Sequence, residues 1–251
     1  MNGQPLRYLS LFSGIGGFDL GFDRAGMVCA GQVEIDDYCR RVLAKHWPDV
    51  KRMADIREVQ GDEFGTVDVI CGGFPCQPHS TARAKKPPGA EDERDMWPEF
   101  IRIIRAVRPQ WVVAENVPGL FSSNDRRFFG NILRDLAASG YDAEWQVIPA
   151  GAFGLPHRRE RVFVVAYANG KRFQECDLPA FSGHAELDPR FIGWNGEWEY
   201  QGEPAFLRGD NGVPPRLDRI AQMGNAVAVP VAEWLGRRIV AAEMGGGGVY
   251  E

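Results

Sequence analysis

The sequence predicts an α/β protein built on a mostly parallel sheet. Short apolar runs of strand length alternate along the chain with longer segments whose apolar residues recur at helical spacing. Two of the runs, residues 67–71 and 111–114, are apolar and rich in β-branched residues, which is typical of parallel strands covered on both faces. Cys76 comes shortly after the first run and Glu115 directly after the second, which predicts both residues at the edge where open α/β sheets bind their ligands.

Composition narrows the class of protein before any motif is considered. The 251 residues suffice for one full core and a small appendage, and 44% of them are hydrophobic. No apolar run approaches the roughly 18 residues of a membrane span. The five cysteines are an odd number without metal-type pairing and the four histidines are scattered, so we expect a reducing cytoplasm and no metal site. The net charge of −5 argues mildly against a nucleic-acid partner, but binding depends on one face of a protein.

The first unit of the chain predicts a site for a nucleotide-like ligand. Residues 6–12 form a strand, the loop Ser13-Gly14-Ile15-Gly16-Gly17 follows it, and residues 18–25 form a helix. A second strand, residues 27–33, ends at Glu34, where this kind of fold places an acid that binds both ribose hydroxyls. The alternative is a tight turn next to a surface glutamate.

Cys76 is the candidate nucleophile. The strand over residues 67–71 is expected to end at Gly72 and Gly73, and Phe74-Pro75 stiffens the turn that follows. The thiol is thereby predicted at the carboxyl end of a strand, although a buried structural cysteine is the commoner fate of a free thiol. Residues 77–95 are polar and lack an apolar period, which predicts either a lid beside the thiol or a mere connection.

A carboxylate and two arginines complete the candidate catalytic set. Glu115 follows the strand over residues 111–114, so it can lie beside Cys76 when the two strands are neighbours. Arg159 and Arg161 lead into a later strand, and alternate residues of an extended chain face the same way. They can therefore point together at one anionic or carbonyl-bearing group.

The remaining elements follow from periodicity and from helix and turn signals. Further helices are predicted over residues 36–46, 97–107, 125–139 and 230–242, and further strands over residues 143–148, 162–168 and just before Asp55. Residues 169–215 are dominated by glycine, proline and charge, which predicts a small irregular lobe. The glycine-rich tail, residues 245–251, is predicted to be disordered.

Taken as a set, the motifs resemble those of the DNA (cytosine-5) methyltransferases of bacteria and phages. The matching motifs occur in that family's order and are Phe12-Ser-Gly-Ile-Gly-Gly17, Glu34, Asp55-Ile56, Gly73-Phe-Pro-Cys-Gln77, Glu115-Asn-Val117, Arg159-Glu-Arg161 and Gly224-Asn-Ala-Val227. The chain departs from the family pattern at His157, where many members have glutamine, and in the shortness of its lobe.

The resemblance implies a fold, a division of the chain and a cofactor. The fold is the class I methyltransferase fold, a Rossmann-like, mostly parallel sheet with one antiparallel strand near an edge. Residues 1–168 and 216–244 would form the catalytic domain, and residues 169–215 the target-recognition lobe. The cofactor would be S-adenosylmethionine, with no metal. The residues implied to bind it are Phe12, Ser13, Gly14, Ile15, Gly16, Gly17, Glu34, Ile35, Asp55, Ile56, Gly73, Pro75, Asn225, Ala226 and Met96 or its neighbour Trp97.

The resemblance also implies catalytic roles and partners. Cys76 would be the nucleophile, Glu115 would bind the edge of the cytosine, and Arg159 and Arg161 would clamp the base and Glu115. The substrate would be a cytosine flipped out of double-stranded DNA, and residues Gln77, Ser80, Arg83 and Lys85 would contact the DNA. A monomer with a possible partner restriction endonuclease is expected.

Three other functions share part of this pattern. A nicotinamide-dependent dehydrogenase shares the glycine loop and the acid, but it has no need of Cys76 and Glu115 at separate strand ends. A catalytically silent DNA-binding module has no need of an intact pair of thiol and carboxylate. An RNA cytosine-5 methyltransferase would show the same catalytic residues, so the sequence leaves that alternative open.

Overall fold

A seven-stranded sheet forms the centre of the protein. The computed structural model describes residues 4–75, 95–122, 127–155, 159–168, 191–192, 199–200 and 226–244. The strands are β1 (Arg7–Leu11), β2 (Val28–Val33), β3 (Arg52–Met53), β4 (Val69–Gly73), β5 (Trp111–Asn116), β6 (Tyr141–Pro149) and β7 (Glu160–Ala168). Their order is β3-β2-β1-β4-β5-β7-β6, and only β7 runs antiparallel to its neighbours. The predicted fold class, with one antiparallel strand near an edge, is confirmed.

Helices cover both faces of this sheet. They are α1 (Gly17–Arg24), α2 (Asp37–His46), α3 (Trp97–Val107), α4 (Arg127–Ala138) and α5 (Val229–Glu243). One buried cluster joins the sheet to α3 and α4, and a second joins its other face to α1 and α5. Adjacent residues of β1 divide between the two clusters, Tyr8 facing one and Leu9 the other, because successive side chains of a strand point to opposite faces.

The closing helix packs directly on the helix that follows the glycine loop. A Cβ added to Gly21 would lie 2.5 Å from the Cβ of Ala232, and one added to Gly17 would lie 2.5 Å from the carbonyl oxygen of Val227. Only glycine allows this approach of α5 to α1. The Trp111 indole also donates to Glu243 at 2.7 Å, which ties the end of α5 to β5.

The strand order reverses between β1 and β4, so their carboxyl ends open a crevice of the kind that holds ligands in such folds. Two predicted boundaries at this edge were wrong. Gly72 and Gly73 do not end the strand before them but pair with Ala114 and Glu115, and Glu115 and Asn116 pair in turn with β7. Pairing between strands distant in sequence therefore extends both strands beyond the apolar runs that predicted them.

Only part of the predicted lobe is described. Two short strands, β8 (Phe191–Ile192) and β9 (Glu199–Tyr200), pair antiparallel to each other within it. The rest of residues 169–215 and the tail at residues 245–251 lie outside the described residues. Among the residues that are described, no helix is long and apolar enough to cross a membrane. The same residues contain no cluster of three or more side chains suited to a metal ion.

Candidate active site

The glycine loop lies at the carboxyl end of β1 and is tied to β2. Phe12 has a φ of 53°, a left-handed conformation that is uncommon for a residue other than glycine. The Ser13 amide donates to the carbonyl of Val33 at 3.1 Å, and the Gly14 amide donates to the Glu34 carboxylate at 2.7 Å. The loop is thus held by the strand end that carries the predicted ribose-binding acid.

Glu34 and Ile35 together present a carboxylate beside an apolar surface. The second carboxylate oxygen of Glu34 accepts from the Asp36 amide at 2.8 Å. Burial is the main influence on this carboxyl group and raises its pKa above the usual value. The side chain of Ile35 is 66% exposed, so it offers an apolar surface next to this carboxylate. An acid that can accept from hydroxyl groups, next to an apolar surface that can cover a ring, fits a nucleoside.

The turn that begins at Asp55 presents a carboxylate at the same edge of the sheet. Asp55 caps the 3-10 helix Ile56–Glu58 by accepting from the Arg57 amide at 3.0 Å. The Arg57 side chain also donates to this carboxylate at 2.7 Å, and that hydrogen bond is the chief reason why the pKa of Asp55 is lowered. Ile56 is 3% exposed and packs in the core, so little of its side chain is available to a ligand.

The turn leading to the predicted nucleophile is fixed from two sides. The aromatic ring of Phe74 packs against those of Trp97 and Phe100, with centroids 5.3 and 5.9 Å away. The Asn116 side chain, 5% exposed, donates to the carbonyl of Phe74 at 3.0 Å. Pro75 is exposed and is the last described residue before Cys76. The backbone at Phe74, two residues before Cys76 in the sequence, is therefore anchored by both α3 and β5.

Glu115 lies on the strand next to the one that leads to Cys76. It pairs in register with Gly73, and a Cβ added to that glycine would lie 2.8 Å from a Glu115 carboxylate oxygen. Glu115 is only 7% exposed, and the Arg161 guanidinium approaches its other oxygen at 3.0 Å. Burial raises the pKa of Glu115 to about 7, against the opposing influence of Arg161 and Arg159. At neutral pH this carboxyl group is thus held partly in the protonated form.

Arg159 and Arg161 both act electrostatically on Glu115, as the alternation of an extended chain predicted. They differ in their other partners. Arg159 donates to the carbonyl of Ala226 at 2.6 Å, which joins the start of β7 to the segment before α5. Burial is the main cause that lowers the pKa of the Arg159 guanidinium, and the neighbouring Arg161 adds to it.

The described residues bring most of the predicted site to one edge of the sheet. Met96 is half-buried and caps α3 behind the Phe74 turn. The predicted site residues outside the described part of the chain are Cys76, Gln77, Ser80, Arg83, Lys85 and Asn225. Sequence reasoning assigned no role to Asn116, although it stands within a recognised motif. The sequence feature that could have indicated a role for Asn116 was an amide side chain just after the apolar run of residues 111–114.

Comparisons with known proteins identify the family of the chain. A family model for the C-5 cytosine-specific DNA methylases matches residues 6–191. The Type II methyltransferase M.HgiCII of Herpetosiphon aurantiacus is 32% identical over 183 residues, which are 71% of this chain and 41% of that protein. The Type II methyltransferase M.NgoFVII of Neisseria gonorrhoeae is 36% identical over 162 residues, which are 63% of this chain and 43% of that protein. The chain thus spans less than half the length of these two relatives.

Solved structures share the fold. A crystal structure described as a DNA modification methyltransferase encoded within an E. coli prophage aligns with a TM-score of 0.56 and 26% identity, over 65% of this chain and 47% of that one. A mutant of DNMT2 from Spodoptera frugiperda aligns with a TM-score of 0.53 and 22% identity, over 66% of this chain and 50% of that one, which shows a common fold. Because the family model covers most of the chain, this protein belongs to the C-5 cytosine-specific DNA methylase family.

Proposed function

We propose that this protein transfers a methyl group from S-adenosylmethionine to carbon 5 of a cytosine flipped out of DNA, through a covalent adduct with Cys76. Membership of the family supports this class of reaction. The observation that carries the proposal is Glu115, a carboxyl group with a pKa raised to about 7, in register with the strand that leads to Cys76. A pKa shifted by burial in a crevice is typical of a functional acid or base.

Cys76 supplies the nucleophile. Its thiolate attacks carbon 6 of the ring and forms a carbon–sulfur bond, which makes carbon 5 electron-rich enough to accept a methyl group. The hydrogen on carbon 5 then leaves to a base, carbon 6 expels the sulfur and the ring regains its aromaticity. An ordinary thiol has a pKa of about 8.5, and in this proposal the positive charge of Arg159 and Arg161 favours the reactive thiolate.

Glu115 and the arginines stabilise the charge that develops on the ring. Protonated Glu115 donates a hydrogen bond to nitrogen 3, where negative charge builds during the attack. Arg161 lies 3.0 Å from Glu115 and holds the carboxyl group in place, while Arg159 is suited to the carbonyl oxygen of the base. Such fixed donors are effective because they need no reorganisation when the charge appears.

The strand ends of β1 and β2 form the part of the site that fits the cofactor. Glu34 would accept from the ribose hydroxyls, Ile35 would cover the adenine, and the Gly14 amide is already held in place by Glu34. Asp55 would accept from the adenine amino group. When bound there, S-adenosylmethionine supplies the activated methyl group as a sulfonium.

Carbon 6 cannot be reached inside a duplex, so we propose that the base is rotated out at a cost of a few kcal/mol. In this proposal residues 77–95 border the flipped base, and residues 169–215 recognise the target DNA sequence. The residues proposed to contact the DNA are Gln77, Ser80, Arg83 and Lys85. Residues 1–168 and 216–244 form the catalytic domain. We expect the protein to act as a monomer, and a restriction endonuclease is a candidate partner because the relatives are Type II methyltransferases.

An adduct assay tests the covalent mechanism directly. Duplex DNA with 5-fluorocytosine at the target cytosine blocks loss of the substituent on carbon 5, so the enzyme should remain covalently attached in the presence of cofactor. A gel shift stable to denaturant is the expected result, and peptide mapping should place the bond on Cys76. Absence of any adduct, with the same DNA methylated when unmodified, would refute the mechanism.

Two controls separate the function from its alternatives. Cys76→Ala should abolish methyl transfer while its affinity for S-adenosylhomocysteine, measured by calorimetry, stays within about twofold, because the thiol is not expected to contact the cofactor strongly. In an assay with tritiated S-adenosylmethionine, the label should be transferred to duplex DNA and not to transfer RNA. Transfer to RNA would favour the RNA-modifying alternative, and binding of NAD in place of S-adenosylhomocysteine would favour a dehydrogenase.

A further inference from the structure

Arg102 makes an ion pair and two backbone contacts that join α3 to the turn of Asp55. Its guanidinium donates to the carbonyl of Val59 at 2.7 Å and to that of Ile56 at 2.8 Å. Its third nitrogen pairs with Glu99, one turn earlier on the helix, at 2.7 Å. All three guanidinium nitrogens are thus engaged, and two of them hold carbonyls at the two ends of one short turn.

The chemistry of this contact is specific to arginine. The planar guanidinium presents parallel N–H groups in a fixed fork, which a lysine ammonium cannot reproduce. The carbonyls belong to Ile56 and Val59, whose side chains are 3% and 0% exposed. The carbonyl of Ile56 also accepts from the Val59 amide at 3.2 Å, so removal of Arg102 should cost most at the carbonyl of Val59, about 1–3 kcal/mol for a buried group left without a donor. Arg102 therefore satisfies backbone groups that water reaches poorly.

The strand pairing that leads into the turn is short. The preceding strand, β3, has only two residues and pairs with one neighbour, β2. The Asp55 side chain bonds within its own turn through Arg57, so it does not fix the position of the turn relative to the sheet. Arg102 adds side-chain hydrogen bonds between this turn and α3 to the packing of Ile56 and Val59 in the core.

We propose that Arg102 is a positioning residue for the adenine end of S-adenosylmethionine. By holding the carbonyls of Ile56 and Val59 it fixes where the Asp55 carboxylate stands, and so how well that carboxylate meets the 6-amino group. The same helix packs Phe100 parallel to Phe12 of the glycine loop, with centroids 6.3 Å apart. Helix α3 thus aligns two segments that are predicted to bind one cofactor, and the inference rests on the function proposed above.

The test compares two ligands that differ at the adenine amino group. Calorimetry with S-adenosylhomocysteine and with S-inosylhomocysteine, which carries a carbonyl oxygen in place of that amino group, gives a discrimination ratio. In the wild-type protein we expect the adenosyl ligand to bind about tenfold more tightly, as one hydrogen bond to a charged carboxylate allows. Arg102→Met should lower this ratio to about twofold, mainly by weakening the adenosyl ligand.

Arg105→Met is the matched control. Arg105 lies one turn further along α3 and donates to Ser139 on the α4 side, away from the Asp55 turn. The Arg105→Met variant should lose some stability and keep the wild-type ratio of affinities for the two ligands. Arg102→Lys retains the charge but has a single donor nitrogen in place of the planar fork, so its ratio should fall between those of the wild type and Arg102→Met.

The outcomes separate this inference from the proposed function. If the wild-type protein binds neither ligand, the cofactor assignment fails. If it discriminates normally and Arg102→Met keeps the full ratio, Arg102 has a purely structural role and the inference is wrong. Should Arg102→Met unfold at the assay temperature, Arg102→Lys decides the question by the same ratio.

Discussion

Replacing Glu115 by glutamine should remove a large part of the pH dependence of stability near neutrality. Glutamine resembles the protonated carboxyl group in shape and cannot ionise. In the wild-type fold the pKa of Glu115 is raised from 4.5 to about 7, chiefly by burial. The stabilising effect of protonated Glu115 is therefore fully present below about pH 4.5 and is lost as the pH rises through about 7.

The size of this effect follows from the interval between the two pKa values. One pKa unit corresponds to about 1.4 kcal/mol, so an interval of about 2.5 units amounts to about 3 kcal/mol. Part of the loss has already occurred at pH 5, because unfolded glutamate is largely ionised there. Between about pH 5 and pH 8 we expect the free energy of unfolding of the wild type to fall by about 2–3 kcal/mol through Glu115, a decrease that Glu115→Gln does not show.

Urea unfolding of both proteins at these two pH values measures the difference. The free energy of unfolding of the wild type minus that of Glu115→Gln should fall by about 2–3 kcal/mol from the lower to the higher pH. Asp142→Asn removes a negative charge from an exposed position of β6 and serves as the control for net charge. Parallel pH profiles for the wild type and Glu115→Gln would show that the carboxyl group is ionised throughout, and the proposed proton donor would be lost.

Two further predictions concern packing and the turn before the nucleophile. Gly21→Ala should destabilise the protein by about 1–3 kcal/mol, because the new Cβ would lie 2.5 Å from Ala232, whereas Gly130→Ala on α4 meets nothing within 4 Å and should stabilise by about 0.5–1 kcal/mol. Equal thermal shifts for the two variants would contradict this. Asn116→Ala should cost about 1–3 kcal/mol and reduce kcat at least tenfold, with little change in the Kd of S-adenosylhomocysteine, because it releases the carbonyl of Phe74. An unchanged kcat in the folded variant would remove Asn116 from the site.

Local patterns predicted the elements and their order well. The helix over residues 97–107 was predicted at its observed bounds, since its apolar residues recur at helical spacing and Pro98 suits its first turn. The meeting of Glu115 with Arg161 followed from strand ends and from the alternation of an extended chain.

Contacts between residues far apart in sequence were beyond these patterns. The bonds from Arg102 to Ile56 and Val59 span 46 and 43 residues, and no periodicity in either segment signals them. The extension of β5 to Asn116 has the same origin, because its last residues gain partners from β7. Such pairings depend on how the elements are arranged in space, which local patterns leave undetermined.

A raised pKa alone would not have singled out Glu115 as the proposed catalytic acid. Asp19 on α1 is fully buried, and burial raises its pKa to about 6, so it resembles Glu115 by that measure. Its two oxygens accept from Ser10 at 2.9 Å and from Gln32 at 2.8 Å, which ties α1 to β1 and β2. Both of these partners are uncharged donors on strands of the sheet. Glu115, in contrast, lies at the carboxyl edge with two arginines acting on it. Both buried carboxylates cost stability when ionised, but of the two it is Glu115 that lies at the strand ends, and this position supports Glu115 as the proposed catalytic acid.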